Sequence, residues 1–278
     1  MARRILLSGG AGTGKSFFGV VDAGPDDPIS YHEVGEPGGF RRAVSRLGLD
    51  EKNLPDWCRL HKYRIPAQFL MDMGEIKLTS SGKVMPEVAI ELAGWKELVS
   101  ELHSNYMLDC KEGYRPITDT AASVWLCQQN AFDQQVQEAT NGGNAAYLAQ
   151  LRYRTPNARM RDYLTFAHYE DMDSIFIAHE KQVWNSDPPK YEPAGLFGET
   201  EGLMDIHLRF TIRDNKPWAQ VMKGGEWGME LGGMFIPEPT LAKVNTILDM
   251  ATMLAAEGRT VEKDAELLLG LAKMDGLI

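Results

Sequence analysis

The chain reads as an α/β protein, a mostly parallel central sheet extended by antiparallel strands late in the chain and flanked by helices. Three observations predict this. A short apolar run at 5–7 leads through a glycine-rich loop into a helix that opens at Lys15. β-prone runs then alternate with helical stretches, the pattern of parallel strands joined by crossovers. Beyond residue 204, "DIHLRFTIRDNKPWAQVMKGGEWGMEL" reads as successive antiparallel strands broken by turn pairs, and two amphipathic helices follow.

Taken in order, "RRILLSGGAGTGKSFFGVV" supplies strand, loop and the first helical turns, at 15–21. "DAGPDDP" is a turn cluster, "ISYHEV" a second strand ending at Glu33, and "GEPGG" closes it. From 40 to 102 the text changes character. Helical pieces flank "EIKLTSSGKVMPEV", in which Ser80, Ser81 and Gly82 suit a hairpin turn, so this span reads as an insertion. "YRPITDTAASVWL" offers a strand running into a helix, and "DMDSIFIAHE" a strand at 174–178 ending in His179 and Glu180. The following "KQVWNSDPPKYEPAGLFGETEG" is too long and too rich in Pro and Gly for a simple connection. The late strands turn at Asp214 with Asn215 and at Gly224 with Gly225. The division expected is a core over 1–235 carrying the 40–102 insertion, then a helical tail over 236–278.

Composition narrows the classes. A formal charge of -10 argues against indiscriminate coating of nucleic acid, whose non-specific affinity comes from neutralised phosphates, although a local basic face is compatible with it. Cys58, Cys110 and Cys127 lack the paired spacing of a zinc site or a disulfide framework, which points to structural thiols in a reducing compartment. No uninterrupted apolar run reaches the roughly eighteen residues of a membrane span, and the apolar run after Arg3 and Arg4 stops at Ser8, too soon for a signal peptide. A cytoplasmic location is the expectation.

The loop carries the chemistry. Gly9, Gly10, Gly12 and Gly14 lack a Cβ, so the backbone can curl with its N–H groups inward. Gly9, four residues, Gly14, Lys15 and Ser16 fit G-x-x-x-x-G-K-[ST], in which amides cradle α and β phosphates, lysine reaches β and γ, and the hydroxyl holds Mg²⁺. With Ala11, Thr13 and Phe17 this forms a candidate ATP site. Strand-end residues supply the remaining parts. Ser16 and Asp119 are the candidate metal ligands, with Asp109 after "YML" as the competitor for the acid; Glu33 is a candidate base for the attacking water, or a solvated strand-end acid; His179 is a candidate γ-phosphate sensor, or a satisfied structural histidine.

Between 141 and 161 the acidic chain carries no acid, yet it has Arg152, Arg154, Arg159 and Arg161. Such an island suits a nucleic-acid backbone or a neighbour's phosphate site; the plainer alternative is a helix face pairing with local acids. Trp184, Tyr191 and Phe197 interleaved with Lys181 and Lys190 suit base stacking on a single strand, or a loop packed by its own aromatics or an oligomer contact. Lys223 is a candidate for reaching a nucleotide across a subunit boundary.

With GGAGTGKS, strand-end Glu33, ITDTAASVW, SIFIAHE, a long loop and VMKGG in that order, the chain resembles the RecA-like P-loop NTPases. It is most similar to phage-encoded "AAA domain" nucleotide-binding proteins, a group that includes RecA-core single-strand annealing proteins. The resemblance covers 3–127 without the insertion, and 173–233. It implies ATP and Mg²⁺ as ligands, hydrolysis assisted by Glu33, and His179 coupling phosphate to the adjoining loop. It also implies single-stranded DNA as partner in recombination, annealing or replication, assembly into a ring or filament, and the cytoplasm of a host cell. The strand before Asp119 departs from the pattern, being polar and containing Pro116. Two alternatives stand beside this reading: a small-molecule P-loop kinase with the arginine island as its lid, and a non-catalytic nucleotide-held scaffold or switch in a phage assembly.

Overall fold

The computed structural model describes residues 2–35, 37–66, 94–139, 154–183, 190–225 and 231–275, with the backbone of 77–78 and 84–85. Its strands are β1 (Arg4–Gly9), β2 (Ile29–Val34), β3 (Cys58–Tyr63), β4 (Lys77–Leu78), β5 (Val84–Met85), β6 (Arg115–Asp119), β7 (Ser174–Ile177), β8 (Glu180–Val183), β9 (Lys190–Pro193), β10 (Ile206–Arg213), β11 (Lys216–Gly224) and β12 (Phe235–Pro237). Its helices are α1 (Lys15–Val20), α2 (Gly39–Arg46), α3 (Trp95–Lys111), α4 (Ala121–Ala139), α5 (Arg154–Tyr169), α6 (Thr200–Leu203), α7 (Leu241–Ala256) and α8 (Ala265–Met274).

Eight strands form one sheet in the order β12-β11-β10-β1-β7-β6-β2-β3. Pairing is parallel from β10 to β3, and β11 and β12 add antiparallel at the other edge. The expected mostly parallel sheet with an antiparallel extension is therefore present. Period-two alternation divides each central strand between two cores, as a sheet covered on both faces requires. Ile5, Leu7, Ile175 and Ile177 pack with Phe18 of α1, Phe40 of α2 and Val244 and Leu254 of α7. Leu6 and Phe176 pack on the other face with Leu102 of α3, Val124 of α4 and Leu164 of α5.

The polarity of β6 has local causes. Arg115 is buried because its guanidinium pairs with Asp27 at 2.8 Å and donates to Gly19 O. Pro116 precedes the first β6–β7 pair, Ile117 with Ile175, where a missing N–H is tolerated. Thr118 exchanges a hydrogen bond with the Tyr163 hydroxyl at 2.9 Å. These partners come from distant parts of the chain, so the strand could not advertise itself by hydrophobicity.

Four readings of the sequence are revised or refined. Part of 40–102 belongs to the core rather than to an insertion: α2 buries Phe40, Ala43 and Val44, and β3 is the edge strand beside β2. Arg59, His61 and Lys62 had hidden that strand, since an edge strand tolerates charge. β4 and β5 pair antiparallel as the expected hairpin, while Ser80, Ser81 and Gly82 lie outside the described residues. The long segment after His179 contains a second hairpin, β8 with β9, in the register Glu180 to Pro193 and Val183 to Lys190. The helical tail is not separate from the core, because α7 and α8 bury Leu241, Ile247, Ala251 and Leu268 in the same cluster as Ile5. Thr240 caps α7 through Lys243 N, and Asp264 caps α8 through Glu266 N and Leu267 N.

Asp214 and Asn215 join β10 to β11 with φ of 50° and 59°, the left-handed pair that a two-residue hairpin turn needs. All three cysteines are free and buried, and burial pushes the Cys58 thiol up to about 11 and those of Cys110 and Cys127 up to about 12. That agrees with structural thiols. Among the described residues, no helix is long and apolar enough to cross a membrane.

Candidate phosphate-binding cleft

A cleft of about 170 Å³ opens at the carboxyl ends of β1, β6 and β7. Its lining runs along the loop from Ala11 to Phe17, takes in Asp119, Ile177 and His179, and closes on α2 through Gly39, Arg42 and Arg46. The backbone there admits only glycine at two points. Gly9 has φ 145°, and a Cβ on it would lie 2.5 Å from Phe210 O on the neighbouring β10. Gly14 has φ 101° and stands immediately before α1, so the chain turns from loop to helix through a left-handed residue.

Lys15 is 5% exposed, and its Nζ donates to Gly9 O and Gly10 O, each at 2.7 Å. The ammonium thus lies inside the loop's curl. Ser16 Oγ donates to Asp119 Oδ2 at 3.2 Å, and the Tyr31 hydroxyl donates to the same oxygen at 2.5 Å. Burial, reinforced by the Asp119 charge, raises the Tyr31 phenol well above its ordinary pKa, which keeps it a donor. Gly39 presses against this group: a Cβ on it would stand 2.6 Å from Asp119 Oδ2 and 3.2 Å from Ser16 Oγ.

Of the two acids considered, Asp119 is the one at the cleft. Asp109 is buried on α3, paired with Arg59 on the sheet's other face. His179 lines the cleft, and its carbonyl accepts from Ala194 N at 2.7 Å, tying the start of the β8–β9 hairpin to its end. Glu33 stands apart from this group. Its Oε1 accepts from Gly38 N at 2.8 Å, and it is not among the residues lining the cleft, although it is register partner to Asp119. The carboxylate holds the turn that launches α2.

The basic candidates do not converge on the cleft. Arg161 makes a two-pronged pair with Glu199, and Arg159 donates to Gln135 at 3.3 Å, so these two serve the helix face itself. Arg154 is exposed at the start of α5, and Arg152 lies outside the described residues, as does Trp184. Lys181, Lys190 and Tyr191 are exposed on the β8–β9 hairpin, whereas Phe197 is buried against Trp125. Lys223 sits opposite His207, near the start of β10 and away from the cleft, donating to the carbonyls of Glu201, Gly202 and Met204.

Tyr31, Gly39, Arg42 and Arg46 were missed. Arg42 and Arg46 are four residues apart on α2 and exposed towards the cleft, with the Arg46 guanidinium 5.7 Å from the Phe17 ring centroid. Their i, i+4 spacing behind a strand-end acid was visible in "FRRAVSR"; assigning that helix to an insertion obscured it.

The donor set suits a hard cation. A carboxylate and a hydroxyl 3.2 Å apart are close to the roughly 2.9 Å that separates adjacent ligands in a Mg²⁺ octahedron with bonds of about 2.0–2.1 Å. No protein-family model matches the chain, and no curated protein matches it.

Proposed function

We propose that the chain binds a nucleoside triphosphate with Mg²⁺ in this cleft and hydrolyses it, as a RecA-like P-loop ATPase. The observation that carries the reading is the convergence on one glycine-lined cleft of Lys15 and Ser16, which open α1 behind β1, with Asp119 at the end of β6, two strands separated by β7. Loop amides would take the α and β phosphates. Lys15 Nζ, exchanging the carbonyls of Gly9 and Gly10 for phosphate oxygens, would reach β and γ. Ser16 and Asp119 would hold Mg²⁺, which when bound neutralises charge developing on the phosphates. His179 would donate to the γ-phosphate, and Arg42 and Arg46 supply positive charge at the cleft's mouth.

Single-stranded DNA is the proposed partner, and the hairpin that follows His179 directly is the proposed contact, through Lys181, Lys190 and Tyr191. Assembly into a ring or filament belongs to the same proposal. A second reading, a nucleotide-held switch without turnover, is favoured by one observation: the engagement of Glu33 with Gly38 leaves it off the cleft wall. The antiparallel β11 and β12 count against a small-molecule kinase.

Steady-state phosphate release from Mg-ATP, with and without single-stranded DNA, tests the reading in the wild type and Lys15→Ala. Turnover that rises with DNA and is lost in the variant is expected. Binding without turnover selects the switch, and wild-type nucleotide binding in Lys15→Ala refutes the phosphate site.

A further inference from the structure

On the sheet face opposite the cleft, two histidines and a carboxylate meet under α3. His32 of β2 and His61 of β3 are register partners, so their side chains leave adjacent parallel strands on the same side. Their rings stack at 4.9 Å between centroids and 17° between planes. Asp109 comes down from α3, and one ligand atom from each of the three residues lies within 4.8 Å of the others. Asp109 Oδ2 is 2.8 Å from His61 Nε2 and 3.4 Å from His32 Nε2.

Two of the polar atoms here, Asp109 Oδ2 and His61 Nε2, face each other without a hydrogen bond. Asp109 is 1% exposed, yet neither its Oδ2 nor His61 Nε2 makes a hydrogen bond: at 2.8 Å they are close, but not aligned as donor and acceptor. A buried carboxylate oxygen in that condition costs stability unless something else meets it. Its other oxygen, Oδ1, is satisfied by Arg59 at 2.8 Å, and Arg59 is in turn balanced by Glu112. The carboxylate is thereby fixed with Oδ2 turned to the histidines.

We propose that His32, His61 and Asp109 form a binding site for a divalent transition-metal ion of the Zn²⁺ class, independent of the phosphate cleft. Two imidazole nitrogens and one carboxylate oxygen are a donor set suited to zinc. Ligands on a tetrahedron with bonds of about 2.1 Å are about 3.4 Å apart, so the separations of 2.8 and 3.4 Å need only small side-chain movements. The outer shell is in place as well. His32 Nδ1 lies 3.2 Å from the Tyr63 hydroxyl, which Asn105 also engages; with Nδ1–H donating to that oxygen, Nε2 keeps its lone pair for a metal. Ser30 Oγ, 3.1 Å from His32 Nε2, is positioned near a fourth ligand place. Bound there, the ion would staple the edge strand β3 and helix α3 to β2.

The full-length protein, stripped with a chelator and titrated with Co²⁺, provides the test. One equivalent should bind with the visible absorption of a tetrahedral nitrogen and oxygen site, and one equivalent of Zn²⁺ should remove that absorption. His61→Ala, at the partly exposed ligand, should weaken binding by more than roughly a hundredfold, the upper end for losing an outer-shell partner alone. Asp119→Asn, which alters the phosphate cleft, should leave the Co²⁺ spectrum unchanged. Absence of the absorption in wild type overturns the proposal even if His61→Ala fails to fold. Retention of the spectrum in folded His61→Ala, or its loss in Asp119→Asn, overturns it too.

Discussion

Gly39→Ala isolates the contact between α2 and the Ser16–Asp119 group. Gly39 does not have a positive φ, so alanine meets no backbone strain, and at this first residue of α2 it gains at most the roughly 0.5–1 kcal/mol that alanine has over glycine in mid-helix. Against that gain stands a methyl 2.6 Å from Asp119 Oδ2, an oxygen held by Ser16 and Tyr31. Overpacking of this kind costs about 1–3 kcal/mol. Without nucleotide, Asp119 can shift and shed much of the cost; with Mg²⁺ bound it has to keep its position. A penalty of about 2 kcal/mol falling on the bound state weakens binding about 30-fold. At a nucleotide concentration about 100 times the wild-type Kd, ligand stabilisation is about 2.7 kcal/mol, and it should fall to about 0.9 kcal/mol in the variant. Thermal unfolding with and without Mg-ATP reads this as a shift of roughly 5 °C or more reduced to roughly 2 °C. Gly270→Ala, inside α8 with no atom within 4 Å of the added Cβ, is the control and should be mildly stabilising with full ligand response. A wild-type ligand shift in folded Gly39→Ala would refute the placement of α2 against the proposed metal ligands.

Two further outcomes follow from charge. Burial holds the His207 and His103 imidazoles down to about 4, so below the ordinary histidine pKa the unfolded chain takes up protons that the folded one refuses, and stability falls as pH drops from about 6.5 towards 4. Each contributes a loss of about 2 kcal/mol by pH 5; urea midpoints should fall over that window, less steeply in His207→Gln, and an unchanged slope in that variant would show that His207 is not buried neutral. Arg42→Ala removes an exposed charge from the cleft's mouth and should raise the ATP dissociation constant about fivefold (about 1 kcal/mol), more at low salt than at high; an unchanged constant would place the triphosphate away from α2.

What the sequence disclosed follows the reach of each signal. The loop, β1 and α1 are local in the chain, and glycine spacing with a short apolar run is enough to specify them. Arg115 and Thr118, with Pro116 between them, obscured β6 because the partners that bury the first two, Asp27 and Tyr163, lie 88 and 45 residues away. β3 was missed because its charged residues face α3 or solvent, so alternation in "CRLHKY" was weak. Tyr31 and Gly39 gave no signal beyond a strand and a turn. Their role arises only when β2 and β6 pair and α2 folds back over Asp119, which no spacing along the chain expresses.

The partner register of β1 also sets an order of assembly. On one side it pairs with β7, Ile5 with Ile175; on the other with β10, Ile5 with Ile206. Gly9 itself lies beside Phe210. The glycine loop therefore acquires the walls that shape it only when β10, about two hundred residues further along the chain, has paired with β1. Loop closures of that length are slow relative to helix formation. The shape of the cleft is thus a product of long-range strand pairing, in place only once β10 has closed on β1.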